Sequence, residues 1–225
     1  DMITNETIGE GFVVANNEFI KKQFEKQKNS QRTNRLKVSN MDSFSKKTNP
    51  EVKGASVFDF DETVGISKNV VIANKDGVTK KISSEQWPFV GDKLIEEGWE
   101  MDFTDFNKVT DGKPGPLFDK MKRQIEKFGP KNVFILTARG PGSQKAIHDW
   151  LKSNGINIPL KNVTGLGQSS GDAKAQWMLD KFEEGYNDMY FADDALPNVE
   201  AVKFVLSQLD IKSKVVQAGL KKIGK

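Results

Sequence analysis

The sequence predicts an α/β protein built on a mainly parallel sheet, and three observations carry that prediction. Two short apolar runs, residues 55–60 and 189–192, end abruptly in acids, as strands buried on both faces do where they leave a core. From residue 115 onward, strand-like runs alternate with segments of helical periodicity, the pattern of βαβ units. Turn residues punctuate that alternation: Gly129-Pro130 stops one helix and Gly155 ends another.

Taken in order, residues 1–54 hold one short apolar run (11–15) and then a polar, lysine-rich stretch. They read as an extended basic arm with one helix near 17–28, not as an independent core. Residues 69–73 and 78–82 flank Asn74-Lys75-Asp76-Gly77, a β-hairpin with Gly where a positive φ is needed. Residues 84–114 are mixed, with Trp87, Phe89, Trp99, Phe103 and Phe106 as a local apolar cluster. A helix is expected over 116–128, a strand over 132–136 and a helix over 143–154. A short third strand closes at Val163, and the loop 165–171 leads into a helix over 172–184. The strand 189–192, a helix over 196–209 and a last strand at 214–216 complete the domain, set at 55–217 with a flap or small cap at about 64–114. Residues 218–225 form a basic tail.

Composition narrows the chemistry. The chain has 225 residues, 36% of them hydrophobic and 29% charged, ordinary values for one globular domain with an extension. No stretch approaches the roughly 18–20 apolar residues of a membrane helix, and no signal-peptide pattern opens the chain. The expectation is a soluble, cytoplasmic protein without membrane contact. Cysteine is absent and His148 is the single histidine, so thiolate chemistry, disulfides, a Ser-His-Asp triad and multi-histidine metal sites have nothing to work with. Carboxylates, lysines, hydroxyls and a hard metal ion remain. The formal charge of +3 is uneven: residues 1–54 carry ten Lys/Arg against seven Asp/Glu, and the last fourteen residues hold five lysines and no acid. Basic ends around an acidic body suit nucleic acid or another anionic partner, although solvated termini have the same composition. The chain starts at Asp rather than Met, as a processed product or a piece of a longer protein would.

Three strand ends carry polar groups, and ligands collect beyond the carboxyl ends of parallel strands. The first reads Asp59-Phe60-Asp61-Glu62-Thr63. Two carboxylates in one small volume repel unless a cation lies between them, and Mg²⁺ with oxygen ligands meets that need. One carboxylate can then attack phosphorus while the other handles protons. Alone, the pattern reads equally well as an acidic turn. The second end reads Thr137-Ala138-Arg139, where a hydroxyl and backbone amides can hold phosphate oxygens and Arg139 can add a bidentate contact. The last reads Asp193-Asp194, adjacent acids that are costly after a buried strand unless they meet a cation. Lys174, at the start of the helix leading back to that strand, can neutralise a nucleophile and a transferring phosphate. Taken alone, Lys174 reads as a surface lysine. The Gly165–Gly171 loop lacks P-loop spacing and reads as a connection that positions Lys174. His148 and the four tryptophans (Trp87, Trp99, Trp150, Trp177) read as structural.

In their order along the chain, DxDxT, Thr, Lys and DD over residues 55–217 resemble the four motifs of the haloacid dehalogenase superfamily. The resemblance implies a Rossmann-like three-layer sandwich and a Mg²⁺-dependent phosphatase. It implies Asp59 as the nucleophile that becomes an aspartyl-phosphate and Asp61 as the general acid/base. Thr137 would be the phosphate-binding hydroxyl and Lys174 the stabilising lysine. Asp59, Asp61, Asp193 and Asp194 would form the metal site, with Asp61 contributing its backbone carbonyl. Thr63 and Arg139 are the expected substrate contacts. The superfamily also implies a flap after the first motif, here the hairpin. A small cap suits a bulky substrate such as a nucleic-acid end or a phosphoprotein. The FADDALPNVEAVK and LDIKSKV segments are similar to modules of virion-associated proteins of marine bacteriophages, which would put the chain in the host cytoplasm or a virion, with virion proteins among its contacts. Two further readings stand beside the phosphatase: a phage structural or interaction protein that retains the fold, and a nucleic-acid end-processing phosphatase.

Overall fold

The computed structural model describes residues 51–219. The helix expected near 17–28, nearly all of the basic arm and residues 220–225 of the tail lie outside the described residues.

The first strand, β1 (Gly54–Phe58), runs directly into a tight turn, after which come β2 (Gly65–Ile66) and a hairpin of β3 (Val70–Lys75) and β4 (Val78–Ser83). Lys75 pairs with Val78, leaving Asp76-Gly77 as a two-residue loop whose φ angles are both positive, 50° and 78°. That is the geometry whose twist matches the strands, and Asp-Gly is suited to it. Helix α1 (Trp87–Glu96) and strand β5 (Glu100–Asp102) follow, and then β6 (Lys113–Pro114), which pairs back onto β2. β5 joins the hairpin to give an antiparallel sheet in the order β4-β3-β5. Residues 84–114, expected as a mixed segment within a flap or small cap, contribute a helix and a strand to a small α+β cap. Its core is Val71, Ala73, Ile82 and Leu94, with Trp87, Val90, Trp99, Met101 and Phe106 packed on it. The hairpin is where the sequence put it, whereas β5 and β6 were hard to read because they are three and two residues long and exist only through pairing.

Beyond the cap the chain alternates strictly: α2 (Phe118–Phe128), β7 (Val133–Thr137), α3 (Gln144–Ser153), β8 (Val163–Gly165), α4 (Gly171–Glu183), β9 (Asp188–Asp193), α5 (Leu196–Ser207) and β10 (Lys212–Gln217). These boundaries fall within a few residues of those read from periodicity. The third strand differs in kind: it begins at Val163 rather than closing there. Its limits are set by parallel pairing of Ile135 with Val163 and Thr137 with Gly165, which no local pattern specifies.

The five long-range strands form one parallel sheet in the order β10-β9-β1-β7-β8. Helices cover both faces, giving a Rossmann-like three-layer α/β architecture. Alternation along β1 drives the layering: Ala55 and Val57 pack with Met178 and Leu179 of α4 and Val202 and Val205 of α5. Phe58 packs on the opposite face with Phe118 and Met121 of α2 and Ile147 and Leu151 of α3. The tryptophans are packing residues, as expected: Trp150 lies against the rings of Phe60 and Phe118, and Trp177 against Phe134. Half-buried His148 bonds the Ile158 carbonyl oxygen at 3.1 Å. No helix among the described residues is long and apolar enough to cross a membrane.

The chain leaves β1 toward β7 and β8 on one side and returns to β9 and β10 on the other. β1 is thus the switch point, and the crevice beyond its carboxyl end is the place where such sheets take ligands.

One close approach fixes the backbone there. A Cβ on Gly165 would lie 2.5 Å from the Gly140 carbonyl oxygen and 2.8 Å from that of Arg139. Gly165→Ala is expected to lower stability by about 1–3 kcal/mol through overpacking against immobile backbone. Thermal denaturation checks this, with an expected fall of about 3–10 °C for a domain of this size.

Candidate active site

Asp59 follows β1 directly, and its amide donates to the Ala192 carbonyl oxygen at 2.8 Å, extending the ladder to β9 by one step. The turn after it is compact. The Phe60 carbonyl oxygen accepts from the amides of Thr63, Val64 and Gly65, and Glu62 takes a positive φ of 54°. A non-glycine residue in that conformation costs about 1 kcal/mol or more and persists only where its surroundings dictate it. Here the Glu62 carboxylate accepts from the Ser84 hydroxyl at 3.2 Å, tying the turn to the end of β4 in the cap.

Lys174 is the centre of the site. Ser170 caps α4 by accepting from the Ala173 amide at 3.2 Å, which sets the first turn of the helix and brings Lys174 over the sheet. The loop before it is anchored, with the Leu166 amide on the Thr137 carbonyl oxygen and the Gly167 amide on that of Arg139. Far from being a surface group, Lys174 is 1% exposed. Its ammonium donates to Asp59 Oδ1 at 2.7 Å and to Asp193 Oδ2 at 2.5 Å. Burial pushes the ammonium down, yet the attraction of Asp59 and Asp193 outweighs it and holds Lys174 above its ordinary value.

Asp193 is fully buried and also accepts from the Ala195 amide and from Asn198 Nδ2, at 3.0 Å each. Asp59, Asp193 and Asp194 offer carboxylate oxygens that all lie within 4.8 Å of one another. Three carboxylates thus share one ammonium. The shortage appears in their acidities: burial, with Asp193, Asp194 and Asp61, raises Asp59 well above its usual range, more than Lys174 lowers it. Burial and then Asp193 push Asp194 up to about 6. A cluster of hard oxygen donors with unbalanced negative charge could hold a divalent cation, which would restore the ionised forms.

The remaining expected residues are distributed less evenly. Thr137 ends β7, 1% exposed, and its hydroxyl accepts from the Arg139 amide at 3.2 Å. Thr63, expected as a substrate contact, is completely buried in the turn after β1, and its hydroxyl has no hydrogen-bond partner. Asp61 stands apart from the three-carboxylate cluster: its carboxylate meets Arg139, Oδ2 from Nε at 2.8 Å and Oδ1 from Nη2 at 2.7 Å. Arg139 was expected to reach for a phosphate. Its side chain is 2% exposed, and its donors are engaged by Asp61, Ser67 and the carbonyl oxygens of Phe106 and Lys108. A phosphate contact would require breaking those bonds.

Sequence reasoning did not single out Ser67, Asn69 or Asn198. Asn198 carried a faint signal, an amide in the first turn after Asp193-Asp194. Ser67 and Asn69 carried none, because the Arg139 they meet lies 72 and 70 residues away.

The Asp194 shift has a sign that can be tested. Its carboxyl binds a proton more tightly folded than unfolded, so its ionisation destabilises the fold. That loss sets in as pH rises from about 4 to about 6 and is complete above. In chelator, Asp194→Asn is expected to match wild type near pH 4 and to exceed it above pH 6. The gain is about 1–2 kcal/mol, discounted for the group's partial exposure. Denaturant melts across pH 4–8 measure it. No protein-family model and no curated protein matches this chain.

Proposed function

We propose that this protein is a Mg²⁺-dependent phosphohydrolase of the haloacid dehalogenase type, forming an aspartyl-phosphate on Asp59. The observation that carries the proposal is the Lys174 ammonium, buried and bridging Asp59 and Asp193 at the carboxyl end of the central strand, with Asp194 beside them. A structural ion pair does not require a third, unbalanced carboxylate.

The chemistry uses two carboxylates from one turn. An Asp59 oxygen attacks phosphorus as the ester P–O bond breaks, and Asp61 gives a proton to the departing oxygen. Asp61 then takes a proton from water, whose oxygen attacks phosphorus, breaking the acyl-phosphate bond and releasing phosphate with Asp59 restored. Asp59, Asp193 and Asp194 would hold the Mg²⁺, which would supply neutralisation of phosphate charge. Lys174 stays protonated beside Asp59 and adds fixed positive charge where negative charge collects. The Thr137 hydroxyl keeps its proton free to donate to a phosphate oxygen. A cap this small, with its own core, would leave the site open, which fits substrates that extend beyond the phosphate.

Phosphate release from p-nitrophenyl phosphate, with and without Mg²⁺, tests the reading. Turnover is expected to require Mg²⁺ and to fall by about 1,000-fold or more in Asp59→Asn. Asp61→Asn is expected to slow steady turnover by about 100- to 10,000-fold. It should still release a burst of nitrophenol and leave a phosphate on Asp59 that intact-mass measurement detects. Equal rates in wild type and Asp59→Asn would sink the proposal.

A further inference from the structure

We propose that Arg139 is a positioning residue that fixes the proton-transfer carboxylate of Asp61 and fastens it to the cap. The proposal rests on the phosphohydrolase reading only for what Asp61 does; the fastening is independent of it.

Every donor of the guanidinium has a partner. Nε and Nη2 form a fork on the two oxygens of Asp61, at 2.8 and 2.7 Å. Nη1 donates to the carbonyl oxygens of Phe106 and Lys108, at 3.0 and 2.7 Å, and Nη2 also donates to Ser67 Oγ at 2.8 Å. Asn69 Oδ1 lies at 3.3 Å from Nη2. The guanidinium carbon also lies over two aromatic rings, 5.2 Å from the centre of Phe60 and 4.8 Å from that of Phe106. Phe60 belongs to the β1 turn and Phe106 to the cap, so one planar cation joins the two.

Geometry makes this a positioning device and not a block. A bidentate fork occupies one lone-pair site on each carboxylate oxygen and leaves the second open for a proton or a leaving group. The carboxylate plane is thereby locked, which matters because misplacement of a proton donor by about 1 Å can cost about 100-fold. Lysine cannot replace it: a point charge has no fork, and it cannot reach two backbone carbonyls, a hydroxyl and a carboxylate in one plane. A cap that loosens would move the Phe106 and Lys108 carbonyls and release Asp61, so cap docking and proton transfer are coupled.

The test compares two esters in single turnovers, reading phosphate transfer to Asp59. p-Nitrophenolate leaves without help, whereas the alkoxide of glycerol phosphate needs the proton. Arg139→Lys is expected to slow transfer from glycerol phosphate by about 100-fold and from p-nitrophenyl phosphate by less than about 5-fold. Ser67→Ala, which leaves the fork in place, is expected to shift the same ratio by about 3- to 10-fold. Amide exchange across residues 65–70 and 104–110 should quicken in Arg139→Lys. Equal slowing of both esters, or an unchanged ratio in both variants, overturns the positioning role. If wild type transfers phosphate from neither ester, the phosphohydrolase reading itself falls. The fastening is then judged by exchange alone, and unchanged exchange in Arg139→Lys overturns it.

Discussion

An ammonium that is 1% exposed cannot be left without anions, and Lys174 imposes that requirement on everything around it. Desolvating a charge costs several kcal/mol even after relaxation, so at least one carboxylate has to be delivered within hydrogen-bond reach. Two are delivered, from the ends of β1 and β9, which are neighbours in the sheet. α4 must start where it does for the lysine to arrive, and Ser170 sets that start. Asp193 in turn recruits Asn198 and the Ala195 amide from the beginning of α5. Removing one member of such a network leaves buried charge uncompensated, a loss of about 3–5 kcal/mol. Well-packed apolar residues would stabilise the same volume at least as well. Stability alone therefore does not account for these charges, and the surplus carboxylate of Asp194 adds repulsion to them.

The second constraint is Arg139, which treats the two carboxylates of the β1 turn differently. Asp59 goes to the lysine and Asp61 to the arginine, although the two are two residues apart. Each of the two carboxylates is thus held by a different cation, and on the proposed reading this would separate the attacking group from the proton-transfer group. It also makes the cap part of the site rather than an ornament on it, since the arginine reaches two cap carbonyl oxygens and Ser67. The strained Glu62, with Ser84 bonded to its carboxylate, is a second bond between the same turn and the cap.

Much of this molecule was legible before any coordinates. Strands running into acids at Asp59 and Asp193, and helices ended by Gly129 and Gly155, follow from local rules: period, turn chemistry and the cost of burying charge. The α/β layering followed from their alternation. The cap beyond its hairpin resisted, because β5 is three residues long and exists only through pairing with Ile72, Ala73 and Asn74.

Residue identity and local order thus determined the fold class, the strand ends and the carboxylates that gather there. Tertiary structure alone decided which cation each carboxylate meets. Lys174 reaches Asp59 across 115 positions and Arg139 reaches Asp61 across 78. A buried lysine and a surface lysine are the same letter in a helix. An arginine two residues beyond the end of a strand is the same letter whether it faces solvent or a neighbour's carboxylate. The difference lies in which strand ends the parallel sheet sets side by side, and that order is fixed by packing across the whole domain.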